Sequence, residues 1–120
     1  MEKLKLTLLL PGRMDRLYAD WYGEIVENVL WDRDEKNLEA LIRDNDFDIA
    51  LEWQYGHQDH TVLDLVKKYN KKARVILCLN WNGTVPDDFD KTGYFAHMNV
   101  PLPLKETEAL LIEAKKSLGM

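Results

Sequence analysis

His57, Gln58, Asp59 and His60 bring two imidazoles and a carboxylate into one short run, with the carboxylate of Glu52 just upstream. Imidazole and carboxylate ligate Zn²⁺ and similar ions, and histidine moves protons near neutral pH. His57 and His60 are therefore the metal candidates. A His-x-x-His pair entering a helix fixes no coordination geometry, however, and no second cluster completes a ligand set, so neither a metal nor another cofactor is expected. Asp59 has a structural use as well, as a helix N-cap accepting from the backbone amides that follow it.

Three of the four tryptophans each precede a polar residue: Trp31-Asp32, Trp53-Gln54 and Trp81-Asn82. An indole beside hydrogen-bonding groups suits a stacked ligand or a protein contact. Plugging the rim of a sheet beneath its loops is the competing use. Pro11-Gly12-Arg13, with Arg16 one turn on, offers backbone amides and a guanidinium to a phosphate or carboxylate, or else makes a tight turn with solvated arginines. Glu52 lies at the end of an apolar run, where a carboxylate must be paired, protonated or at a wet rim. Cys78 lies within another apolar run, as a buried and inert thiol would. The only serine, Ser117, is in no nucleophile elbow.

The elements that must position these groups follow from periodicity. Strands are expected at Leu4–Leu10, Ile25–Trp31, Ile49–Trp53, Ala73–Leu79 and Tyr94–Val100, the last more mixed, as befits an edge. A helix from Arg13 to Tyr22 should stop at Gly23. A second should start at Asp32, with Glu35 completing a capping box, and should bury Leu38, Leu41 and Ile42. A third carries Val62, Leu65, Val66 and Tyr69 on one face. A short helix is expected within Pro86–Lys91, and a last one over Lys105–Leu118, with Leu111, Ala114 and Leu118 inward and Gly119 at its end. Leu8, Leu51, Ile76 and Leu77 should be core. Strands alternating with helices imply a parallel sheet covered on both faces. The expected α/β fold is a flavodoxin-like (CheY-like) three-layer sandwich with strand order 2-1-3-4-5. No G-x-G-x-x-G follows the first strand, which argues against a dinucleotide-binding fold.

The 120 residues suit one domain, 1–120, large enough to bury a core unaided. A net charge of −5 provides no basic footprint for nucleic acid. The longest apolar run, Leu8 to Pro11, is far too short for a membrane span, and a single cysteine allows no internal disulfide. A cytoplasmic setting is expected.

Strand spacing and the runs Asp48-Ile49-Ala50-Leu51, Ala73-Arg74-Val75-Ile76-Leu77 and Pro103-Leu104-Lys105-Glu106 resemble response-regulator receiver domains. The resemblance implies an acidic, metal-chelating pair at the end of the first strand, where this chain has Leu10, Pro11 and Gly12. It puts the phospho-accepting aspartate at Trp53, with Glu52 beside it. The switch hydroxyl falls at Leu79 or Asn80 and the conserved lysine at Leu102. What it implies is a pseudo-receiver: a non-catalytic regulatory or protein-interaction module, with a protein partner or a second copy of itself. The alternative is a small-ligand-binding or enzymatic half-domain, sugar- or nucleotide-related. Either reading uses the rim at the strand carboxyl ends: Arg13, Trp31, Asp32, Glu52, Trp53, His57, Asp59, His60, Trp81 and Asn82.

Overall fold

The computed structural model describes residues 2–53, 60–80, 83–100 and 103–119. Strands β1 (Leu4–Leu9), β2 (Val26–Leu30), β3 (Ile49–Trp53), β4 (Arg74–Asn80) and β5 (Ala96–Val100) pair in parallel in the order β2-β1-β3-β4-β5. Between and after them run helices α1 (Arg16–Tyr22), α2 (Leu38–Asp44), α3 (Thr61–Lys68), α4 (Phe89–Thr92) and α5 (Leu104–Lys116). This is the flavodoxin-like arrangement expected from the alternating pattern.

The continuous apolar runs of β1, β3 and β4 are explained by two cores, one on each face of the sheet. Successive residues of a strand point to opposite faces. Leu8, Leu51 and Ile76 accordingly pack with Tyr22 of α1 and with Leu111 and Ala114 of α5. Leu9, Ala50 and Leu77 pack with Leu38 and Ile42 of α2 and with Val62, Leu63 and Val66 of α3. All four anticipated core residues, Leu8, Leu51, Ile76 and Leu77, are completely buried. Asp48, just before β3, ties three elements together: its carboxylate accepts from the Thr7 amide of β1 (2.8 Å) and pairs with Lys115 of α5 (2.8 Å).

The helix starts differ from the sequence reading, each for a local reason. Residues 13 and 14 lie in a turn closed by Met14 N–H to Pro11 C=O (3.0 Å), and α1 begins only after Asp15, whose Oδ1 caps the Leu17 and Tyr18 amides. Asp32 does not cap α2. Its carboxylate accepts from Asp34 N (2.9 Å) and the Asn37 side chain, while Asp34 caps a 3-10 turn, Glu35–Asn37, that leads into α2. Glu35 therefore completes no capping box and turns towards Arg13 instead. β5 starts two residues later than expected, leaving Tyr94 buried just ahead of the strand.

Two substitutions test this packing. Leu51→Ala is expected to cost about 2–5 kcal/mol in denaturant melts, the usual range for emptying a packed site; a loss near zero would mean that β3 is misplaced. The hydroxyl of Tyr22 is buried without a hydrogen-bond partner among the described residues, and burial pushes its ionisation far up. Tyr22→Phe removes an unsatisfied polar group and should leave stability unchanged or raised; a clear loss in the same melts would reveal a partner for that hydroxyl.

Candidate functional site

The carboxyl ends of β1, β2 and β3 form the rim towards which the sequence pointed. Glu52, the penultimate residue of β3, is 1% exposed. Its side chain leaves the sheet on the α3 face. Oε2 accepts from the Val62 amide (2.7 Å), and Oε1 accepts from the Leu63 amide (3.1 Å) and the Tyr94 hydroxyl (2.8 Å). The first amides of a helix have no partner within it and carry its positive dipole end, so they are suited to receive a carboxylate. His60, at the N-cap position of α3, makes no side-chain cap bond. Its Nδ1 instead lies 2.7 Å from the Tyr94 hydroxyl. Because that hydroxyl donates to Glu52, its oxygen accepts from His60, which places the imidazole proton on Nδ1. Phe89 of α4 stacks on the Tyr94 ring at 6.0 Å and meets His97 edge-on at 5.1 Å. A chain Glu52–Tyr94–His60 thus links β3, α3 and the segment entering β5.

On the opposite side of β3, Arg13 supplies the charge. Its Nη1 donates to the carbonyl of Trp53 (3.3 Å), its Nη2 lies 3.7 Å from Glu35 Oε2, and its backbone amide donates to Glu35 Oε1 (2.6 Å). The anion that Arg13 meets is therefore one of the chain's own. Gly12 allows the two loops to close: a Cβ there would stand 2.6 Å from the Asp32 carbonyl oxygen. Leu10 and Pro11, at the end of β1, are buried.

Two of the three rim indoles are packed. The Trp31 Nε1 donates to the Met14 carbonyl (2.7 Å) and its ring lies against the α1/α5 core. Trp53 packs on the same core and meets Tyr18 edge-on at 5.5 Å. His57, Asp59, Trp81 and Asn82 lie outside the described residues, as does the expected capping role of Asp59. Among the described residues, no three His, Cys, Asp or Glu side chains gather as metal ligands would. The Cys78 thiol is fully buried, and its pKa is pushed far up by desolvation first and by the charge of Glu52 second. Tyr94 and Glu35 were not identified by sequence reasoning. Tyr94 is distant in sequence from Glu52 and sits at the expected start of a strand, and Glu35 has the spacing of a capping-box partner of Asp32; no local pattern marks either for the site.

No family model matches the sequence, and no curated protein matches it. Solved structures do. A receiver domain protein (CheY-like) from Methanospirillum hungatei superposes with a TM-score of 0.69 at 18% identity, covering 98% of this chain and 98% of that one. A response regulator from Thermotoga maritima gives 0.69 at 14% identity over 94% of this chain and 99% of that one. NtrX from Brucella abortus, solved in complex with ADP, gives 0.77 at 14% identity over 97% of this chain but only 27% of its own length. The likeness defines the fold: it is that of response-regulator receiver domains. Among the described residues, no helix is long and apolar enough to cross a membrane.

The Glu52 network yields a ranked expectation. Glu52→Ala strands two buried amides and a hydroxyl, and should cost at least about 2 kcal/mol. Tyr94→Phe removes a single donor from the carboxylate and should cost about 1 kcal/mol. Chemical denaturation of both variants and the double variant checks the order, and additive losses would mean that the two groups are not coupled.

Proposed function

We propose that the chain is a receiver-fold regulatory module that acts through protein contacts and does not take up a phosphoryl group at the end of β3. One observation carries this reading: Glu52, the only carboxylate in β3, is sealed from solvent and engaged by the start of α3. The position that the resemblance assigns to the phospho-acceptor holds Trp53, and the buried Leu10 and Pro11 stand where it puts a metal-chelating pair. Arg13 occupies the Trp53 carbonyl and is itself paired. The place of Leu102 lies outside the described residues.

A partner has a surface to meet. Leu17 of α1 is 73% exposed, and Trp21 one turn on lies half-buried beside it, with Asp20 and Glu24 flanking the same stripe. An apolar ridge rimmed by carboxylates suits a protein contact. The rim residues Arg13, Trp31, Asp32 and Trp53, with His57, Asp59, His60, Trp81 and Asn82, are the second contact region in this reading. The module is taken as one domain, 1–120, acting in the cytoplasm on a protein partner or on a second copy of itself, without a cofactor.

Incubation with acetyl phosphate and Mg²⁺ should leave the intact mass unchanged. A stoichiometric phosphoryl adduct would overturn the proposal. If two copies associate through α1, Leu17→Asp should abolish the concentration dependence of the sedimentation coefficient, and unchanged association would move the contact elsewhere.

A further inference from the structure

At the amino edge of the sheet, opposite the rim, a cleft of about 380 Å³ opens between the end of α3, the start of β4 and the turn before β5. Its volume falls within the range of small-ligand pockets. Lys67, Lys71 and Arg74 contribute three cations, Val66 and Val75 beneath them are buried and offer little apolar surface, and among the described residues no carboxylate lines the cleft. The chain as a whole carries −5, so this is a local reversal of sign.

Each cation is held in place by neutral oxygens. Lys67 Nζ donates to the Thr92 carbonyl at the end of α4 (2.6 Å). Lys71 Nζ donates to the Arg43 and Asn45 carbonyls at the end of α2 (3.2 and 3.1 Å). Arg74 donates through Nη2 to the Ser117 carbonyl and through Nε to its Oγ, both at 2.8 Å, at the end of α5. These bonds fix the cations without neutralising them. A helix carboxyl end is worth about half a negative charge, so the ends of α2, α4 and α5 that these cations meet offset at most roughly half of the three positive charges. Asp44 also feels Lys71, but it is exposed and hydrogen-bonded first to Arg43. Donors remain: an ammonium has three N–H groups and a guanidinium five, more than these contacts use. Gly93, at φ +108, lies beside Lys67, where an added Cβ would stand 3.2 Å from Nζ.

We propose that this cleft binds a phosphate-bearing anion, its phosphoryl oxygens among Lys67, Lys71 and Arg74. The site is independent of the carboxyl rim and of the α1 ridge, so its failure would leave the proposed function untouched. Inorganic phosphate is a suitable probe, an anion with no other recognition element. Titrated into the ¹⁵N-labelled protein, it should shift amides of residues 66–75 and 93–95. Lys67→Gln and Lys71→Gln should each weaken binding at least about tenfold, with Lys5→Gln as an exposed control of equal charge loss that leaves it unchanged. Thermal melts confirm that each variant is folded; should Lys71→Gln unfold through loss of its α2 contacts, Lys67→Gln alone decides. Equal weakening in all three variants, shifts scattered over surface lysines, or no binding at millimolar concentration would overturn the proposal.

Discussion

A carboxylate buried at the end of a central strand must find donors or its presence there is prohibitively costly. Glu52 finds them in the amides of Val62 and Leu63 and in the hydroxyl of Tyr94, and much of the structure around it follows from that requirement. It fixes where α3 begins, because the helix lacks a side-chain cap of its own. It holds Tyr94 beneath α3, which in turn sets the direction of the His60 hydrogen bond and gives Phe89 a ring to stack on. A side chain that in another chain could face solvent at the rim is here a fastening between a strand and a helix.

The same economy of charge governs both ends of the sheet. At the carboxyl rim, Arg13 is satisfied by Glu35 and by the Trp53 carbonyl, so the group best suited to receive an anion already has one. At the amino edge, where helices end, Lys67, Lys71 and Arg74 cap the carboxyl ends of α4, α2 and α5, which a parallel α/β fold collects on that side. Carbonyl oxygens immobilise a cation but leave most of its charge expressed, whereas a carboxylate cancels it. That difference separates the paired cation of the rim from the three cations of the amino edge.

The strands were legible in the sequence because their apolar runs are continuous: Ile49–Trp53 was read to the residue, and the strand order followed from alternation with helices. Helix starts were less so. Asp15, Asp32 and Asp34 are all competent caps, and which of them caps a helix is decided by the Pro11–Met14 turn and by the close approach of Gly12 to Asp32. Neither is written in local pattern. The requirement that Glu52 be satisfied was readable; its partners were not, because Tyr94 reaches it across the fold. For Trp31 and Trp53 the sequence leaves both a ligand contact and rim packing open, and their neighbours Met14 and Tyr18 give them packing contacts that spacing alone could not reveal.

The central claim is that Glu52 holds the start of α3. Native-state hydrogen exchange on the Val62 and Leu63 amides tests it most directly, since the opening amides of an uncapped helix exchange by fraying at little cost while those bonded to a buried carboxylate need a larger opening. The account predicts strong protection of both amides in the wild-type protein and its selective loss in Glu52→Ala, with the amides of β4 remaining protected. Fast exchange at Val62 and Leu63 in the wild type, or protection unchanged in the variant, would contradict it.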